Sequence, residues 1–279
     1  MKKSILLTLS VLLIASTGIF AQTNKRLTGE DVSKLFASTT HVVTTNENIV
    51  FDALLKRAAR EDWTITPLET EGESWGDDSQ SFLLVTRDVF EKKKDDDGYL
   101  FLTLLQGRVG AKDIGNLPWI ISLPISSDDY ESEVDSDAML SLLVKSIHNH
   151  VELIKAEPSK AKQSLNKLYN GNIKELADKT IYMLDEDISP KIDRDKLLSR
   201  FNGHLKLVGP AEIERVVKDK EENAVVSHTV KGGYCYKMLI DAADGTIYYY
   251  NRDRIVDGSP LYPPGFLQSD ISKIAAPFK

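Results

Sequence analysis

Asp185, Asp187 and Asp241 are the side chains of this 279-residue chain best suited to chemistry. Paired carboxylates hydrolyse glycans or peptides when one acts as acid and the other as base or nucleophile at a fitting separation. Asp185-Glu186-Asp187, joined by Asp241 or Asp244, would also offer oxygen ligands to a hard cation. Other patterns fail on spacing. Asp95-Asp96-Asp97-Gly98 begins like a calcium loop, but Lys93 and Leu104 stand where an acid and a glutamate are required. It reads as a solvated hairpin turn. His148 and His150 fall about 200° apart on a helix and cannot easily share a metal. His41, His204 and His228 are isolated, and no His-Glu-x-x-His occurs. Gly107, Gly110 and Gly115 lack phosphate-loop spacing, and there is no Gly-x-Ser-x-Gly elbow. Cys235 is the single cysteine, so no intramolecular disulfide exists. It lies within a strand, away from the helix N-termini that activate thiolates, and reads as a buried structural thiol. Nothing in these patterns calls for a metal or a cofactor.

Aromatic residues form the other constellation. Tyr234, Tyr236, Tyr248, Tyr249 and Tyr250 cluster on two adjacent strands. Strand alternation predicts Tyr234 and Tyr236 on one face and separates Tyr249 from Tyr248 and Tyr250. Trp75, Trp119 and the segment 261–266 add apolar surface in loop-like sequence. Either these residues make a recognition surface, as exposed aromatics do, or they pack the core.

The elements that must position them are legible. Asn46 is placed to cap a helix whose Val50, Phe51, Leu54, Leu55 and Ala58 share a face. Strands are expected at 41–44, 64–66, 81–90, 99–106 and 119–123. A long helix follows at 137–156, with the stripe Leu140, Leu143, Val144, Ile147, Val151 and Ile154. Pro158 breaks it, and a polar helix at 159–169 leads to Asn170-Gly171-Asn172. The pattern then restarts, with strands at 180–184, 205–208, 224–230, 234–240 and 246–250 and helices at 193–201 and 210–220. Residues 268–275 form a last short helix. The expected organisation is a leader at 1–21, an α+β module at 22–157, a helical linker at 158–178, a second α+β module at 179–256 and a Pro-rich tail at 257–279. Each module should hold an antiparallel or mixed sheet with helices on one face.

The N-terminus has the three-part form of a secretory signal: Lys2 and Lys3, an apolar run from Ile5 to Ile14, and small residues up to Ala21. Cleavage is expected after Ala21. No later stretch approaches the ~20 apolar residues of a spanning helix. The formal net charge is −7, with Lys and Arg dispersed among acids. That balance disfavours sequence-independent binding to nucleic acid or anionic lipid.

Two stretches carry a resemblance. Asn48 to Pro67 with Ser81-Phe-Leu-Leu-Val-Thr86, and Tyr236 to Tyr249, resemble a family of uncharacterised secreted or periplasmic proteins of Gram-negative bacteria. The resemblance implies no activity. The strand–helix–strand order also looks like small α+β modules of periplasmic assembly proteins such as the Tol-system N-terminal domain. The Asp-Ala-x-Asp-Gly-x-Ile hairpin is similar to that of peptidase-propeptide modules. The function expected from the chain as a whole is that of an exported, non-catalytic envelope protein binding another protein or an envelope polymer. The alternatives are a carboxylate hydrolase using Asp185, Asp187 and Asp241, or a secreted inhibitor or effector.

Overall fold

The computed structural model describes residues 27–45, 48–70, 74–88, 98–127, 137–256 and 263–278. The leader, Asn46 and the charged run 92–97 lie outside them. The first module comprises α1 (Gly29–Phe36), β1 (Thr39–Val43), α2 (Ile49–Asp62), β2 (Leu68–Glu69), β3 (Gln80–Asp88), β4 (Tyr99–Gln106), β5 (Trp119–Ser126) and α3 (Asp137–Ala156). After α4 (Leu165–Tyr169) the second comprises β6 (Thr180–Leu184), α5 (Arg194–Ser199), β7 (Leu205–Val208), α6 (Pro210–Lys218), β8 (Ala224–Lys231), β9 (Tyr234–Asp241), β10 (Ile247–Arg254) and α7 (Gln268–Ile274). The fold is α+β in two modules, each built on a mixed five-stranded sheet. Among the described residues, no helix is long and apolar enough to cross a membrane.

The two sheets share one topology. The first runs β2-β1-β3-β4-β5, and the second, read from its other edge, runs β7-β6-β8-β9-β10. In both, the first strand pairs in parallel with its two neighbours, and the last three strands form an antiparallel meander. Parallel pairing needs a crossover, which α2 supplies in one module and α5 in the other.

Local departures from the sequence pattern have side-chain causes. Asn48 caps α2, its Oδ1 accepting from the Phe51 N–H at 3.0 Å. The strand expected at 64–66 is replaced by the two-residue β2. There Thr66 turns inward, accepting from the Trp63 indole N–H at 3.0 Å and hydrogen-bonding Thr40. The helix expected at 159–169 is a 3₁₀ turn (Pro158–Lys162) followed by α4. Its polar sequence offers no continuous apolar stripe, and only Leu168 and Tyr169 of α4 are buried.

Helix α3 lies between the modules. It packs against α2, β4 and β5 on one side and against α6 on the other. Its expected stripe is buried, and so are Leu142, Ser146 and His150. One apolar cluster therefore runs through both modules, joining Leu143, Ile147 and Val151 to Val216, Met238 and Ile240. Burying a Leu or Ile side chain stabilises by roughly 1.5–3 kcal/mol, so this shared seam outweighs any surface ion pair. The second sheet has α6 on this side and α5 and α7 on the other.

Polar contacts reinforce the seam. The imidazole of His228 on β8 hydrogen-bonds the Pro124 carbonyl on β5 at 2.9 Å. Tyr99 of β4 reaches into the β8–β9 turn, where its hydroxyl accepts from the Tyr234 N–H and donates to the Tyr234 carbonyl. A Cβ on Gly232 would lie 2.5 Å from that hydroxyl oxygen, so only glycine lets the ring in. Gly232→Ala is expected to lower stability by about 1–3 kcal/mol, read as a lower urea midpoint. Gly29→Ala, where a Cβ meets nothing within 4 Å, serves as the control. Equal midpoints for the two variants would show that the Tyr99 contact is dispensable.

His150 ties the linker to α3. It is buried, and its Nδ1 lies 2.8 Å from the Tyr169 hydroxyl. Burial pushes its pKa down to about 4 from 6.5. Between those values the unfolded chain takes up a proton that the folded chain refuses, so stability is retained above pH 6.5 and lost as pH falls towards 4. The loss is about 3 kcal/mol. His150→Gln should flatten this part of the stability–pH curve; an unchanged slope between pH 6.5 and 4 would contradict the assignment.

Candidate functional site

The β9–β10 hairpin does not keep the tyrosines in simple alternation. Ile247 opposes Ile240 and Tyr249 opposes Leu239, leaving Tyr248 as the extra residue of a β-bulge. Tyr248 and Tyr249 therefore both pack into the cluster that contains Leu239 and Phe266, while Tyr250 packs on the opposite side. This corrects the expected separation of Tyr248 from Tyr249. Tyr236, also buried, meets Tyr99 and Phe101 edge-on at 5.3 and 5.4 Å. Tyr236, Tyr248 and Tyr249 thus present core contacts rather than surface. Tyr234 and Tyr250 are half-buried, with the Arg252 guanidinium 5.0 Å from the centre of the Tyr234 ring.

The tryptophans converge. Trp75 and Trp119 both pack on a small cluster formed by Phe82, Leu84, Leu105 and Leu117, on the side of the first sheet away from α2 and α3. The Trp75 ring lies 4.4 Å from Phe82. Both indoles remain half-buried. Val109, 73% exposed, projects from the adjoining turn, whose Arg108 N–H donates to the Trp75 carbonyl at 3.2 Å. Alternation put Phe82, Leu84 and Leu105 on this side. The packing of Trp75 onto them comes from the loop between β2 and β3, whose counterpart in the second module carries α6.

The three aspartates are each held by different partners. Asp185 is exposed and accepts from the Arg194 guanidinium at 2.8 Å. Asp187 is buried, accepting from Ser227 at 3.1 Å and pairing with Lys231 at 3.1 Å. Asp241 is buried at the start of the β9–β10 turn. It accepts from Lys179 at 2.9 Å and from the backbone N–H of Ala243 at 3.0 Å. This is an Asx turn, a structural use of the carboxylate. Among the described residues, no group of three or more His, Cys, Asp or Glu side chains could hold a metal ion. Cys235 is enclosed, with the Gly265 N–H donating to its Sγ at 3.3 Å, and burial pushes its pKa up to about 11. It is a thiol at neutral pH, not a nucleophilic thiolate.

A charged centre under α7 is absent from the sequence reading. Lys237 and Asp270 are both fully buried, and the Lys237 ammonium donates to Asp270 at 2.6 Å and to Asp253. Asp270 also accepts from the Tyr249 hydroxyl at 2.6 Å, from Asn251 at 2.9 Å and from the Leu267 N–H at 2.7 Å. Burial opposes both charges. The attraction between them and these hydrogen bonds prevail, so the ammonium stands above its ordinary pKa and the Asp270 carboxyl below. One signal was available: Lys237 shares its strand face with Cys235, Leu239 and Asp241, so alternation alone placed a cation in a buried row. Each charged side chain of the centre is held by the others, and both oxygens of Asp270 accept hydrogen bonds, which suits anchoring rather than turnover.

Comparison with protein-family models, with curated proteins and with solved structures finds no match. Functional assignment therefore rests on the residues.

Lys237→Met keeps the length of the stem but leaves the Asp270 carboxylate buried without its cation. Its expected cost is about 3–5 kcal/mol, measured by urea unfolding. A loss under about 1 kcal/mol would mean that Tyr249, Asn251 and the Leu267 N–H suffice to hold the charge.

Proposed function

We propose that this chain is an exported, non-catalytic protein of the cell envelope that binds another protein or an envelope polymer through the Trp75–Trp119 face. The observation that carries this reading is the convergence of two half-exposed indoles, distant in sequence, around one apolar cluster. Tryptophan concentrates binding energy because its large rigid surface loses little conformational freedom on docking. Export is supported by Lys2, Lys3, the apolar run 5–14 and Ala21. The acidic balance argues against nucleic acid as the partner. The carboxylate-hydrolase reading draws little support, because Asp187 and Asp241 are buried and committed to internal partners.

Crosslinking of the tagged chain in living cells, followed by mass spectrometry, should recover one or two reproducible envelope partners. Trp75→Ala and Trp119→Ala should each weaken that capture, at a cost of about 2 kcal/mol apiece, with folding verified by circular dichroism. Capture that survives the double variant would displace the proposed face. Turnover of an envelope glycan or peptide by the purified protein would overturn the non-catalytic reading.

A further inference from the structure

A groove of about 140 Å³ opens where the two modules meet. Ala58 and Asp62 of α2, Ser141 and Lys145 of α3, Lys220 after α6 and Ala242 after β9 all line it. Its acids and bases are unequally committed. Asp137 pairs with Arg57, and Lys218 with Glu214. Asp62 is almost enclosed; its Oδ2 accepts from the Ser141 hydroxyl, while its Oδ1 has only the Lys145 ammonium, 3.9 Å away. That distance exceeds a direct hydrogen bond. Lys145 spends one donor on the Ala243 carbonyl at 2.9 Å and has two more. The Lys220 ammonium has no partner among the described residues.

Lys220 is anomalous in a second way. It ends α6 in a left-handed conformation, φ 49°. Its N–H donates to Val217 and that of Glu221 to Val216. This is the Schellman pattern, whose left-handed position favours glycine or asparagine. Among the described residues, the other two non-glycine residues with positive φ are Asn202 and Asn223, which tolerate it. A lysine here incurs backbone strain and brings its ammonium to the groove.

Of the groups lining the groove, these leave carboxylate acceptors on Asp62, almost enclosed, and on Glu61, and two ammonium groups, on Lys145 and Lys220, above a floor that includes Ala58, Leu142, Val217 and Ala242. A simple anion would meet Asp62, and a simple cation would meet the lysines. We propose that the groove binds a small aliphatic α-amino acid. Its ammonium donates to Asp62 Oδ1 and Ser141 Oγ, its carboxylate accepts from Lys145 and Lys220, and its side chain covers the apolar floor. The inference is independent of the tryptophan face.

Isothermal titration of the full chain with L-valine tests it, with valinamide and isovalerate as probes lacking one charge each. Valine should bind saturably, and each analogue at least about tenfold more weakly. Asp62 is buried and its variants risk misfolding, so the decisive variant is Lys220→Gly. Relief of the left-handed strain should raise its ligand-free Tm by about 2–4 °C, while its affinity for valine falls about tenfold. A lysine with a purely structural role would not separate the two readouts. Absence of saturable heat from valine, alanine and leucine overturns the proposal, as does valinamide binding as tightly as valine or undiminished valine binding by Lys220→Gly.

Discussion

Helix α3 is buried on two sides, and the rest of the structure follows from what covers each. One side closes the first module against α2, β4 and β5, and the other meets α6. The turn between β9 and β10 sits on the same helix. Ser146 donates to the Gly245 carbonyl at 2.8 Å, and Asn149 to that of Asp244 at 2.6 Å. Gly245 holds φ 76°, and a Cβ there would press on the α3 backbone at Ser146. The modules are thus separate as sheets but not as cores. Neither can bury its apolar surface without the helix they share, which accounts for a continuous core across the linker.

The same strand order occurs twice with little residue-level likeness, so the modules solve common problems differently. The first sheet carries a row of hydroxyls, buried Thr86 and Thr103 and half-buried Ser122, linked at 2.7 and 2.9 Å. The second places Lys237 and Asp270 under α7. Hydroxyls satisfy one another at small desolvation cost. A buried ion pair costs more and demands fixed partners, and it sets where α7 lies. Between β7 and β8 the second module has α6, whereas the described residues between β2 and β3, Trp75 among them, form turns. Among the described residues, the tryptophan face thus carries no α-helix, only turns and the short 3₁₀ segment Ile114–Asn116.

Periodicity made most of the fold legible. The stripe on α3, the turns after Pro158 and Asn202, and the alternating strands all register in sequence because they depend on neighbours a few residues away. The parts that did not register are long-range. The bulge at Tyr248 adds one residue to a strand, and its effect on which side chains share a face depends on the partner strand. The pairing of Lys237 with Asp270 joins β9 to α7. The second buried side of α3 was hidden because Ser146 and His150 are polar, and their burial depends on Gly245 and Tyr169 arriving beside them. The candidate site was half visible: the aromatic residues were noticed, but only packing separates the interior Tyr236, Tyr248 and Tyr249 from the half-buried Trp75 and Trp119.

The location of Asp270 has a consequence for synthesis. A chain made from its N-terminus delivers Lys237 with Asp253 on the β9–β10 hairpin, and Asp270 joins them only with α7, 33 residues after the lysine. Until then Asp253, itself a third exposed, is the only carboxylate of the centre beside the ammonium, a state that favours solvation over closure. Helix α7 therefore supplies the buried half of the pairing: a polypeptide without Asp270 leaves the enclosed Lys237 ammonium with Asp253 alone.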